Sequence, residues 1–439
     1  MSKDMSIKMK PSGIEWIGDI PDGWDVSKIK YSSAIIGSGT TPDSTNSDYY
    51  DGNLFWIQSG DLYQNISIKD TEKKINHRAV KENPALKCFT KDFIVIAMYG
   101  ASVGNCSISH IDAYVNQACC CIKPSENMNL SYLFYFLEIS KEEMLRKSIG
   151  GAQPNISQMI IKNLFVLNPP LSEQQAIALF LDERCEKIDG IIADMEQQIE
   201  VLKQYKTSLI TKTVTKGLDK SVPMKDSSIK WIGKMPKHWG IKRLKYILKT
   251  PLQYGANETG EDFDASLPRY IRITDISLDN ELKNEDKLSL PINIAKPYLL
   301  HDGDILFARS GATVGKSFIY RKSYGESAFA GYLIRAVCDV SKYDPKYIYY
   351  ITLSNGYEQW LQMVFTQATI QNIGANKYEN LIVTSAPLKE QQNMVKYLDE
   401  KCQKVDSLIS DKQFSITTMK DYKKSLIYEY VTGKKRVTI

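Results

Sequence analysis

Two stretches of this chain return to an apolar residue at alternating steps of four and three. Ile188, Ile192, Met195, Ile199 and Leu202 make the first row. Val405, Ile409, Lys412, Ile416 and Met419 make the second, with a lysine in its middle. Such steps place the apolar side chains on one stripe of an α-helix and mark a coiled-coil seam. About 40 residues at about 1.5 Å each give a helix of roughly 60 Å. One stripe cannot stay in water, so the two helices are expected to bury their rows against each other. Proline precedes each helix, and Ser172 with Glu173 and Gln174 offers capping chemistry for the first turn of the first.

The two helices are copies. Pro170, Glu173, Gln174, Gln175, Leu181, Asp182, Glu183, Cys185 and Asp189 recur 217 positions on as Pro387, Glu390, Gln391, Gln392, Leu398, Asp399, Glu400, Cys402 and Asp406. The segments before them repeat as well. Trp16, Pro21, Trp24 and Tyr31 match Trp231, Pro236, Trp239 and Tyr246 in a strap that reads WIGxxPxxW. After each strap come a polar loop, a short strand (54–62; 269–276) with Asp61 and Asp275 in register, and a buried-strand run ending in glycine (92–108; 303–319). A further strand, a helix (130–147; 345–363), a Gln/Asn loop and a last apolar strand complete each half. The expected class is α+β: two tandem similar domains of about 165 residues, joined by two long coiled-coil helices in an internal repeat, which becomes pseudo-two-fold if the helices run antiparallel. The expected boundaries are 1–168 and 217–385 for the domains, 169–216 and 386–432 for the helices, and 433–439 for a basic tail.

Composition narrows the class without naming a function. The chain has 439 residues, 43% hydrophobic and 24% charged, as ordinary globular proteins do. No run of 18 apolar residues exists, and the N-terminus lacks the apolar core of a secretory signal, so a cytoplasmic protein is expected. Eight cysteines include the run Cys119, Cys120, Cys121, without any CxxC, and the four histidines are scattered; neither disulfides nor a metal site is expected. The net charge of +5 permits a polyanionic partner without demanding one.

Two motifs look like catalysis. Asn168-Pro169-Pro170-Leu171 is similar to the NPP-aromatic signature of adenine methyltransferases, but leucine replaces the stacking aromatic, the repeat turns the motif into Ser385-Ala386-Pro387-Leu388, and no Gly-rich cofactor loop precedes it. Ser310 to Ser317 is similar to a phosphate-binding loop that has lost its first glycine. Phe318-Ile319-Tyr320 after it reads as strand, and the first-half copy has Asn105-Cys106 where the second has Lys316-Ser317. A hairpin that needs glycine and a turn offering N–H groups to a phosphate of another kind both remain open. No carboxylate pair or histidine adds a defensible active site.

Three motifs, each occurring twice in the same order, then carry a resemblance over essentially the whole chain: the WIGxxPxxW strap, the GA[ST]VG turn, and the PLxEQQ…LDE…D helix start. Together they resemble the specificity subunits of type I restriction–modification systems. The resemblance implies a non-catalytic DNA-recognition subunit. Each domain would be a target-recognition domain reading one half of a split, asymmetric site in double-stranded DNA, with the helices setting the gap. Two methyltransferase subunits would dock on it and bring S-adenosylmethionine. Two restriction/translocase subunits would bring ATP and Mg; no cofactor is expected in this chain. A related system that cuts on both sides of its site, a fused adenine methyltransferase, and a coiled-coil adaptor that binds no DNA are the competing readings. Half-sites on one face of DNA lie about 34–36 Å apart or a multiple of that, which such helices can span. Direct readout needs polar or cationic side chains on loops. The candidates are Thr40, Thr41, Tyr99, Ser102, Gln153 and Asn155 in the first half, and Tyr254, Arg272, Arg309, Thr313, Lys316, Gln371 and Asn372 in the second. Arg272 stands opposite Gln58, so it either distinguishes the halves or pairs with Asp275. Lys316, Arg309, Lys28 and Lys30 suit phosphates equally.

Overall fold

The computed structural model describes residues 8–62, 66–148, 154–277, 280–366 and 372–437. The seamed stretches form helices Leu171–Lys216 and Leu388–Val431, 46 and 44 residues long, or about 69 and 66 Å at about 1.5 Å per residue. Ile188, Ile192, Ile199, Val405 and Ile416 are buried, and Met195, Leu202, Ile409 and Met419 half-buried. Lys412 keeps its place in the seam because its stem is half-buried while Nζ reaches Gln198 Oε1 at 2.5 Å.

The chain divides into two units. One joins the residues up to Met195 with those from Phe414; the other is Glu196–Gln413. In the first, Phe180 faces Tyr430 with ring centroids 4.4 Å apart, and Asp189 meets Lys423 at 2.7 Å. In the second, Gln198 meets Lys412 and Lys206 meets Asp406 at 2.6 Å. In both, rising numbers on one helix meet falling numbers on the other, so the helices pack antiparallel. The ion pairs are themselves copies, since Asp189 recurs as Asp406 and Lys206 as Lys423.

Each unit builds a corresponding pair of sheets that differ in strand number, five and three in the first and four and four in the second among the described residues. In the first, the strand order is Ser33–Ser38, Cys119–Pro124, Phe93–Ala97, Cys106–Ser109, Ser67–Ile68. In the second it is Gln253–Tyr254, Leu333–Ala336, Ile305–Ala308, Ser317–Ile319. A second sheet accompanies each, and in both its defining pair is parallel: Tyr114–Val115 with Leu54–Ile57, and Ser327–Phe329 with Arg269–Ile271. The buried-strand run is apolar on both faces for a reason visible here. Phe93, Val95 and Ala97 cluster with Ile57, Leu62, Val115, Cys119 and Cys121, while helix Leu130–Ile139 packs on the same strand. The cysteine run is thus the core of a central strand, with all eight cysteines of the chain free.

Several local expectations change. The helices expected at 130–147 and 345–363 are each broken in two, into Leu130–Ile139 and Lys141–Arg146, and into Pro345–Ile351 and Asn355–Thr366. Serine hydroxyls at the breaks donate back to the preceding turn, Ser140 to Phe136 and Ser354 to Ile351, both at 2.7 Å. The strands expected through 62 and 276 stop early at a 3-10 turn, where Asp61 and Asp275 each accept the N–H three residues back, from Gln58 and Arg272, at 2.7 Å.

Glu173 and Gln174 do not cap their helix. Pro170 O takes the first two amide protons, from Glu173 and Gln174, which frees both side chains for the domain. Glu173 accepts the indole N–H of Trp24 at 3.0 Å, and Glu390 that of Trp239 at 2.9 Å. The far end of each helix seats on the opposite strap. Gly217, with φ +71°, lies against Trp239, and Gly433, also φ +71°, lies against Pro21 and Trp24. The carbonyl before each glycine turn is read the same way: Tyr347 donates to Val214 O at 3.4 Å and Tyr132 to Val431 O at 3.1 Å. The basic tail continues onto the first strap, Lys434 donating to Asp19 O and Arg436 lying 3.6 Å from Glu173.

Candidate nucleic-acid interface

The glycine motif inside each domain is a β-hairpin turn. Phe93–Ala97 pairs antiparallel with Cys106–Ser109, and Ile305–Ala308 with Ser317–Ile319. Gly100 and Gly104 have φ +87° and +77°, and Gly311 and Gly315 +76° and +85°, a conformation costly for any residue with a Cβ. A Cβ on Gly315 would also stand 2.7 Å from Leu361. The turn spends its own amides: the N–H groups of Val103, Gly104 and Asn105 go to Gly100, Ala97 and Ser102, and those of Val314, Gly315 and Lys316 go to Gly311, Ala308 and Thr313. A nucleotide-binding loop needs those groups free, so the turn is a hairpin and not a nucleotide cradle. Asn168 of the NPP motif is likewise engaged, its amide held between Ser27 at 2.8 Å and Ser32 at 3.0 Å.

Three loops meet beside the base of this hairpin in each unit. In the second, Arg309 donates its amide to Tyr332 O at 3.0 Å and accepts the Ile373 N–H at 2.8 Å, which ties the hairpin to the segment after the third strand loop and to the Gln/Asn loop. Tyr254 comes in from the first polar loop and its hydroxyl accepts the Ala375 N–H at 2.9 Å. In the first unit, Met98 makes the same two backbone bonds, to Ala118 O and from Ile156 N, both at 2.7 Å. The framework repeats; the side chains on it do not.

The candidates divide accordingly. Arg309 lies over the Tyr254 ring, Cζ to centroid 4.9 Å, and Asn372 is exposed beside Ile373. Asn155 is exposed at the matching place in the first unit. Tyr99 is exposed at the hairpin tip. Thr40 and Thr41 are half-buried; the Thr40 carbonyl accepts the Trp56 indole at 3.4 Å and the Thr41 hydroxyl bonds Gln117. Ser102 is buried, its hydroxyl donating to Ser59 O at 2.6 Å, so it fastens the hairpin to the loop after the second strand. Thr313 is half-buried, with its hydroxyl oxygen sealed from solvent. Lys316 is half-buried within the hairpin. Arg272 takes the second of its two alternatives: it forks onto Asp275, which is 3% exposed, at 2.8 and 3.1 Å. Gln153 and Gln371 lie outside the described residues. Two neighbours escaped the sequence reading, Gln117 and the 60% exposed Tyr332. Both precede a strand that reads as buried throughout, and only the polar Asn116-Gln117 step and the Gly331-Tyr332 step mark the loop.

Among the described residues no group of His, Cys, Asp and Glu is set to hold a metal ion, and no helix is long and apolar enough to cross a membrane.

Comparison with known proteins agrees with this architecture. Residues 21–201 match the family model of the type I restriction modification DNA specificity domain. The MjaIX specificity subunit of Methanocaldococcus jannaschii is 25% identical over 433 residues, 96% of this chain and 95% of its own length. The EcoKI specificity subunit of Escherichia coli K12 is 21% identical over 435 residues, 95% and 90% of the two chains. A chain in a solved structure concerned with complex assembly and conformational transition of the type I R-M system shares the fold. Its TM-score is 0.70 at 14% identity, with 95% of this chain and 99% of that one covered.

Proposed function

We propose, for a chain that belongs to the specificity subunits of type I restriction–modification systems, that each domain reads one half of a split DNA site and that the paired helices carry the partner subunits. In such a system this chain is the DNA-recognition subunit and not itself an enzyme. Two methyltransferase subunits supply methyl transfer with S-adenosylmethionine, and two restriction/translocase subunits supply ATP- and Mg-dependent work on double-stranded DNA. Half-site reading rests on one observation above all. The three-loop framework around Met98 and Arg309 keeps its backbone bonds in both units while changing the side chains it carries. Two readers of one build with different side chains are what an asymmetric site requires.

Features that repeat unchanged cannot tell the half-sites apart and suit common tasks. Lys30 lies over exposed Tyr31 at 4.9 Å and Lys245 over exposed Tyr246 at 5.0 Å, a cation–aromatic pair available to phosphates in either unit. Ile191 and Leu408, and Tyr205 and Tyr422, are exposed on the helices and are again 217 apart. Each unit therefore offers one aliphatic and one tyrosine at the same level of its helix pair, twice the same patch for two copies of one partner. The decisive experiment is methylated-base sequencing of cells that express the chain with its methyltransferase subunit. The expected result is a split motif that disappears when the chain is deleted; methylation persisting unchanged without the chain would refute the reading.

A further inference from the structure

The two recognition frameworks differ by one coordinated exchange. By sheet register, Ile334 pairs with Tyr254 and Ala308 with Leu333 in the second unit, as Cys120 pairs with Ser38 and Ala97 with Cys119 in the first. Tyr254 therefore stands where Ser38 does, and Arg309 where Met98 does. In the first unit the pair is smaller and uncharged: Met98 is 7% exposed, with its sulfur 4.0 Å from the Ser38 hydroxyl. In the second, the larger pair stacks a guanidinium over a phenol ring.

Arg309 is held unusually well for a loop cation. Both of its backbone groups are bonded, its Nε is sealed from solvent, and Tyr254 beneath it is itself pinned through the Ala375 N–H. Yet among the described residues no hydrogen bond or ion pair engages its two Nη atoms. The buried Arg269 and the half-buried Arg335 and Arg272 of this domain are spent on the protein: Arg269 on Lys283 O, Arg335 on Leu299 O and Gln253, and Arg272 on Asp275. A planar fork of free donors, fixed in orientation at the meeting of three loops, matches the O6 and N7 acceptors of guanine in the major groove. A phosphate can accept the same fork, but it carries no base identity, so a scan of single base pairs separates the two.

We infer that Arg309 is the specificity-determining residue for a guanine in the half-site read by the second domain, with Tyr254 as its positioning residue. The first domain, carrying Met98 and Ser38, has no counterpart contact. This rests on the half-site reading proposed above.

The test uses the full chain in complex with its methyltransferase subunits. Methylated-base sequencing defines the wild-type motif, and duplexes changed at one base pair at a time then give methylation rates for wild type and for Arg309→Met, which copies the first domain. One guanine in one half should lose its advantage, roughly ten- to hundredfold, with the other half unmoved. A wild-type motif lacking guanine in one half, or an Arg309→Met profile identical to wild type, overturns the inference while leaving half-site reading intact. Absence of any chain-dependent split motif sinks the underlying reading instead. If Arg309→Met fails to assemble, Arg309→Gln decides: glutamine pairs with adenine N6 and N7 and not with guanine O6 and N7, so it must lose the guanine preference at that one position. Retained preference overturns the assignment.

Discussion

Gln391 is fully buried, and its whole amide is bonded: Oε1 accepts Asp344 N–H at 2.9 Å, and Nε2 donates to Lys342 O at 3.1 Å and Ala386 O at 2.7 Å. Gln174 does the same with Asn129, Asn127 and Pro169. Replacing either by leucine leaves three backbone groups without their partners, one of them, the Ala386 or Pro169 carbonyl, in a buried bond. Gln391→Leu should therefore cost about 3 kcal/mol in urea unfolding, and Gln174→Leu a similar amount. Cysteine gives a second residue-scale prediction. Burial pushes the thiols of Cys185 and Cys402 up to about 11 and that of Cys120 to about 12, while Cys88 alone is exposed. Because the thiolate is the reactive form, alkylation of the native protein at pH 8, followed by mass spectrometry, should label Cys88 first. The other seven should wait for unfolding. The repeated Glu and Gln were legible in sequence as important, but the reading gave them to the helix cap. Nothing local tells a helix-start carboxylate whether its partner is its own backbone or an indole 149 residues away in the chain.

At the scale of elements, the glycines past each helix end differ in what crowds them. A Cβ on Gly433 would come 2.4 Å from Pro21, whereas one on Gly217 would stand 3.1 Å from Trp239. Both also sit at positive φ, a cost of about 1–2 kcal/mol. Gly433→Ala should therefore lower the melting temperature more than Gly217→Ala. The long helices, their seam and the buried strands were readable because period and burial coincide there. The second sheet of each unit, the hairpin straps and the breaks at Ser140 and Ser354 were not. They depend on pairings such as Trp56 with Tyr114, made between segments too short to carry a period of their own. The glycine turn was found as a motif, but only its internally bonded amides and the strand Ser317–Ile319 after it identified the hairpin.

For the molecule as a whole, the repeat made both the plan and the family resemblance visible, while the contents of the recognition loops stayed hidden. Loop side chains obey no period, and Arg272 and Arg309 look alike in sequence until one is seen spent on Asp275 and the other free. The proposed ruler role of the helices can be tested with a matched pair of insertions. Four residues between Val201 and Lys206, with four more between Asp406 and Lys412, preserve the antiparallel register that joins Lys206 to Asp406 and Gln198 to Lys412. The expected outcome in methylated-base sequencing is a changed gap between two unchanged half-sites; an unchanged gap refutes the ruler.

The first unit closes only with residues from Phe414 onward, among them Val431 under Tyr132 and Gly433 under Trp24. Chains usually fold from the N-terminus as they leave the ribosome. Here the unit that holds the residues up to Met195 waits for the segment from Phe414 onward, while Glu196–Gln413 has all its residues earlier. A ribosome halted just after Gln413 would thus release a chain whose earlier-made unit lacks its closing segment while the later-made one has all its residues.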